Sequence, residues 1–223
     1  MSVSNSVSSR RLIWQFIGAW VVWLIVQVTL NVPISQHFHG WPQEILLDAV
    51  KLTVWIGAGW LFTHQARRGA LTLTNREQWR PNWHFTAGYV VWIAIVLYLG
   101  LQFWLLHHGL RVSRTFIPQY WGQYFLVVGV AEEFVTRGYF LNALLKKTSF
   151  AKANAIQALG FASMHIPRYL TTVPTMSVGT WLSNLVSVFV LGLLFGWLYK
   201  NSRSLWPGIA VHMTWDILVT LFG

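Results

Sequence analysis

Ionisable side chains are scarce in this 223-residue chain, and several stand where apolar residues would be expected. Only six are acidic, and two of these, Glu132 and Glu133, lie side by side in GVAEEFVTRGYF, directly after the apolar run YFLVVGVA. Arg137 completes that stretch, His165 interrupts a second apolar run, and His212 and Asp216 interrupt a third. An ionisable group inside an apolar helix is costly unless paired, so each is a candidate for function. Helical spacing sorts them. Glu133 and Arg137 are i,i+4 neighbours and can pair on one face, whereas Glu132 is turned about 100° away and needs a partner on another helix. His212 and Asp216 are also i,i+4, which lets the carboxyl group orient the imidazole. His165 has no acidic neighbour in sequence and shares its face with Phe161, one turn earlier. Asp48 and Lys51, near one end of another apolar run, are expected to reach the membrane interface along their own stems.

One carboxylate and two imidazoles on separate apolar helices suit hydrolysis. The carboxylate serves as general base toward water, one imidazole shares the proton, and the other donates to the oxyanion formed at a scissile carbonyl. A Glu/His/His zinc site with an open position for water is an equally economical chemistry, although the H-E-x-x-H pattern is absent. Serine catalysis has no G-x-S-x-G to support it, and a chain without cysteine has no thiolate nucleophile, disulfide or Cys-metal site. Each feature alone has an ordinary explanation: an interhelical histidine hydrogen bond, a structural Glu–Arg pair, or the acid and histidine relays of proton-coupled transporters. The combination favours hydrolysis.

The elements that must position these groups follow from composition. Hydrophobic residues make up 55% of the chain and charged ones 10%, with a mean hydropathy of +0.48. A soluble domain carries about 25% charged residues, so the chain belongs to the membrane class. Its 15 tryptophans suit the headgroup level. The expected fold is an all-α, multi-pass transmembrane bundle with about seven spans, near 12–30, 45–63, 85–106, 119–144, 154–167, 181–199 and 206–222. The fifth is short and rich in small residues, as a protein-buried helix would be. Residues 12–30 follow Arg10 and Arg11 like a signal peptide, but the run is too long and lacks an A-x-A-like site, so it is expected to be a retained span.

With the N-terminus cytoplasmic, the inner segments hold eleven basic residues and the outer loops three, Arg111, Arg114 and Arg168. That asymmetry accounts for the net charge of +10 as topology, and no basic stripe interleaved with aromatics suggests nucleic acid. No internal repeat or separate soluble domain is visible, so residues 1–223 read as one membrane domain.

Three short motifs then stand in order: EEFVTR at 132–137, FASMH at 161–165 and HMTWD at 212–216, flanked by RGYFLNAL and SLWPGIAVH. In these the chain resembles the CAAX prenyl protease and bacteriocin-processing (CPBP, Abi) family of membrane endopeptidases, with its motifs E-E-x-x-x-R, F-x-x-x-H and H-x-x-x-N/D. The resemblance covers about 117–222 as a catalytic core and leaves 1–116 as variable accessory spans. It implies an intramembrane glutamate-type peptidase without a cofactor, in which Glu132 and His165 activate water and His212 with Asp216 stabilises the oxyanion. Glu133, Arg137 and Phe161 become supporting residues. Prenyl-protease members usually carry Asn where this chain has Asp216, and an ionised carboxylate cannot donate to an oxyanion. Asp216 must therefore stay protonated or serve to orient His212. Family members also include bacteriocin self-immunity proteins and scaffolds that act by binding. The short loops resemble bacterial members, for which the expected substrate is a peptide or membrane protein and the expected location the cell membrane.

Overall fold

The computed structural model describes residues 6–114, 116–123, 127–172 and 176–223, and among them there are helices and no strand. Helix α1, Ser9–His37, is capped by Ser8, whose hydroxyl accepts from the Arg11 N–H at 3.2 Å. It widens into a π-turn at Gln27–Asn31, just ahead of Pro33, whose ring and missing N–H an undisturbed α-helix would not accommodate. Gly40, with φ of +66°, reverses the chain into α2, Trp41–Gln65. The buried stripe of α2 runs Glu44, Lys51, Trp55, Gly59 and Thr63, a single helical face.

The connection after α2 is pinned to the bundle. Its one-turn helix Asn75–Gln78 is closed by a reciprocal capping box between Thr74 and Glu77. Asn142 exchanges two hydrogen bonds with the Leu73 backbone, each 2.8 Å. Helix α3, Thr86–His107, follows.

Helix α4, residues 128–144, is the central element. It begins as α-helix at Val128–Glu133, runs as π-helix through Phe134–Leu141 and ends in the turn Asn142–Leu144. Every residue from Ala131 to Ala143 is buried. Around it stand α5, Phe150–Ser163; α6, Ile166–Thr172; α7, Val178–Ser202; and α8, Trp206–Phe222. Ala131, Val135 and Tyr139 of α4 pack with Leu12 and Trp23 of α1 and Trp55 of α2. Phe134 and Leu141 pack with Leu73, Tyr199 and Ile209. A third cluster, Phe161, Leu191, Phe195, Leu198 and Val211, joins α5, α7 and α8. Helices α5 and α7 approach closely because Gly192 has no side chain: a Cβ there would stand 3.1 Å from both Cα and Cβ of Ala158.

Four of the seven expected spans, α1, α2, α3 and α7, are helices long and apolar enough to cross a membrane. Large apolar side chains of these helices, among them Ile13, Trp14, Val90, Leu97 and Val186, are exposed, as suits a lipid-facing surface. The other three differ in kind. The 14 residues of α5 reach about 21 Å, short of a hydrocarbon core of about 30 Å. Helix α8 has 17 residues, and α4 is wrapped by protein. The expected fourth span also includes residues 124–126, which lie outside the described residues.

Candidate active site

Glu133 and Arg137 occupy one face at the junction where α4 turns from α- to π-helix. Arg137 Nη1 donates to Glu133 Oε1 at 2.8 Å and to Thr136 Oγ1 at 2.7 Å, and its Nη2 reaches the Gly192 carbonyl at 3.2 Å. The guanidinium is fully enclosed and lies over the rings of Phe161 and Phe195, at 4.3 and 5.1 Å from their centroids. The pair expected from spacing is therefore present, and α5 and α7 supply the aromatic faces that sandwich it.

His212 of α8 meets the same carboxylate. Its Nδ1 donates to Glu133 Oε1 at 3.2 Å, and its ring stacks on Phe195 at 4.8 Å and 22°. Because a carboxylate accepts, this contact places a proton on Nδ1 and turns Nε2 toward Glu132 Oε2, 3.8 Å away, and Asp216 Oδ2, 3.6 Å away. The orienting carboxylate is thus Glu133 rather than the i,i+4 neighbour Asp216, which stands beyond hydrogen-bond distance on the opposite edge of the ring. Gly208, one turn before His212, allows the approach: a Cβ there would lie 3.0 Å from Glu133 Oε2.

His165 sits in the turn between α5 and α6. Its Nδ1 donates to the Phe161 carbonyl at 3.0 Å. A carbonyl only accepts, so the neutral ring carries its proton on Nδ1 and its lone pair on Nε2. Phe161 meets both imidazoles edge to face, at 5.0 Å from His165 and 5.8 Å from His212. One ring therefore separates the two histidines and also covers Arg137.

Glu132 points away from this pair, as its helical angle required. Its partner is Lys51 of α2, whose Nζ donates to Oε1 at 2.6 Å. Lys51 is 8% exposed, so the expectation that it reaches the membrane interface is overturned. The long stem packs inward because α2 turns the same face to α4 that carries Trp55 and Gly59. Glu132 Oε2 has no hydrogen-bond partner among the described residues.

Lys51, Trp55, Glu132, His165, His212 and Asp216 line one cavity of about 560 Å³, completed by residues of α3, α6 and α7. A cavity of similar size, about 590 Å³ between α1, α4 and α5, carries no ionisable side chain and offers no acid–base chemistry. Among the described residues no three His, Cys, Asp or Glu side chains converge as a metal-binding set. Of the residues singled out from the sequence, Glu132, His165, His212 and Asp216 line the first cavity, Glu133, Arg137 and Phe161 contact one another or His212 behind it, and Asp48 does not line it. Reasoning from the sequence missed Lys51, although an ionisable residue in an apolar run was a signal for it. Phe195 and Gly208 carried no such signal.

Among curated proteins, none matches the chain significantly. Residues 114–218 match a family model described as type II CAAX prenyl endopeptidase Rce1-like. That family is one of membrane hydrolases, in keeping with the four long apolar helices. The matched residues hold Glu132, Glu133, Arg137, Phe161, His165, His212 and Asp216. The segment that carries the site is therefore similar to the Rce1-like family of CAAX-type intramembrane proteases.

Proposed function

We propose that the chain is an intramembrane endopeptidase in which Glu132, with His165, activates water against a peptide carbonyl. The observation that carries this is the shared cavity, onto which a carboxylate and two imidazoles from three separate elements converge. Glu132 presents an oxygen without a partner, and His165 presents an unprotonated Nε2. A water held between them loses its proton to that pair as its oxygen adds to the carbonyl carbon. His212, held by Glu133 through Nδ1 and carrying a second proton on Nε2 as the imidazolium, donates to the developing oxyanion. Asp216 faces the same position: in its acid form its O–H is a second donor, and ionised it favours the proton on His212. Collapse of the tetrahedral intermediate breaks the C–N bond, and the proton taken from water passes to the leaving amine. Glu133, Arg137 and Phe161 keep these donors in place. The substrate is a peptide or membrane protein that enters the cavity from the bilayer, and the setting we assign is a bacterial cell membrane.

Glu132→Gln tests this directly, because the amide oxygen still accepts from Lys51 while the base is lost. Membrane peptides are compared between cells making the wild-type protein and cells making the variant at equal abundance. Cleavage products are expected to fall by about 10²–10⁴-fold, the usual worth of a positioned acid–base group. Undiminished products from the variant would rule out Glu132 as the base.

A further inference from the structure

Lys51 lies outside the segment 114–218, on an accessory helix, yet it makes the shortest contact to the proposed base. Both side chains are nearly enclosed, at 10% and 6% exposure, so this is not a screened surface pair. Arg137, the other buried cation near the site, is committed to Glu133, Thr136 and Gly192. Lys51 is the only cation hydrogen-bonded to Glu132 among the described residues. Trp55, one turn further along α2, stands edge-on to Trp23 at 5.5 Å, and both indoles line the cavity beside Lys51. The ammonium is therefore held by the carboxylate in a cavity wall it shares with two indoles.

The contact has a geometric consequence. An ammonium at 2.6 Å anchors Oε1 and so restricts rotation of the carboxylate, while Oε2 is left on the side of His212 Nε2, 3.8 Å away. A buried carboxylate without such a partner would be strongly disfavoured and free to turn elsewhere. We propose that Lys51 is the positioning residue of Glu132, so that accessory helix α2 completes the catalytic unit. This rests on the assignment of Glu132 as the base.

Two measurements on the full chain in detergent micelles test it. Infrared difference spectra between wild type and Glu132→Gln identify the carboxylate bands of Glu132. Those bands are expected to move in Lys51→Met and to return in Lys51→Arg; bands unmoved in Lys51→Met overturn the proposal without any activity measurement. The second measurement uses a quenched synthetic peptide spanning a cleavage site found in the membrane-peptide comparison. Lys51→Met is expected to lower kcat by about 10²-fold, the cost of a small misplacement, with KM unchanged within about twofold. Lys51→Arg is expected to recover at least a tenfold share of that loss.

If Lys51→Met does not accumulate, Lys51→Gln replaces it in both measurements, since its shorter side chain stays polar but removes the ammonium from Oε1. Full cleavage by Glu132→Gln would remove the base assignment, and this inference with it. An inactive Glu132→Gln beside a fully active Lys51→Met would overturn this inference alone.

Discussion

Glu133→Gln separates the two adjacent glutamates by what each loses. In the folded protein Arg137 is completely enclosed, and Glu133 is the carboxylate paired with it, at 2.8 Å. At an effective dielectric constant of about 20 the Coulomb attraction across 2.8 Å is about 6 kcal/mol. Gln keeps a hydrogen-bond acceptor in place but leaves the guanidinium charge buried and uncompensated. Removing one partner of such a pair costs about 3–5 kcal/mol. For a chain of this size that corresponds to a fall in Tm of about 6–20 °C. Thermal unfolding in micelles, followed by tryptophan fluorescence, reads the change. Arg137→Met should lose a similar amount, and the double variant should regain at least half of it, because no unpaired charge then remains. A Glu133→Gln protein that unfolds at the wild-type temperature would refute the reasoning, as would a double variant no more stable than either single one.

Gly208→Ala should lower stability by about 1–3 kcal/mol and reduce kcat, because its methyl would press on Glu133 Oε2 from 3.0 Å and turn the carboxylate that holds His212. Thermal unfolding and steady-state kinetics of the same preparation check both effects. Asn142→Leu should cost about 1–3 kcal/mol by leaving the Leu73 N–H and C=O unpaired, and limited proteolysis should then cut the connection after α2 faster. The Thr74 N–H and hydroxyl donate to Glu77 and hold its carboxyl below the usual range. The cap it forms is therefore fully present above the unfolded pKa and is lost as pH falls through the lower folded one, which hydrogen exchange at residues 74–78 should show as faster exchange only in acid. Activity should survive chelator treatment, because the Lys51 ammonium already occupies Glu132 Oε1 at 2.6 Å and repels a dication; loss on chelation with recovery on adding zinc would contradict this.

Much of the site was legible because its residues violate the composition around them. Glu132, Glu133, Arg137, His165, His212 and Asp216 stand in apolar runs, and i,i+4 spacing alone paired Glu133 with Arg137. At Asp216 the same logic was incomplete. Spacing brings it near His212, but which edge of an imidazole a carboxylate meets depends on a third element, and Glu133 reaches Nδ1 across the α4–α8 contact. Lys51 was passed over because a lysine near the end of an apolar run can extend to water, and only the packing of α2 against α4 shows that it does not.

By itself the sequence determined that the chain is helical and bound for a membrane, and that Glu132 and Glu133 have different partners. Those properties are local: apolar content, helical period and the angle between neighbouring residues. Tertiary structure decided which helices are long and which are short and enclosed, that α4 runs as π-helix through Phe134–Leu141, and that Lys51 rather than a histidine hydrogen-bonds Glu132. Such contacts depend on how closely two helices approach and in what register. Gly129 and Gly208 together permit that approach between α4 and α8, where a Cβ would press on Met213 or on Glu133.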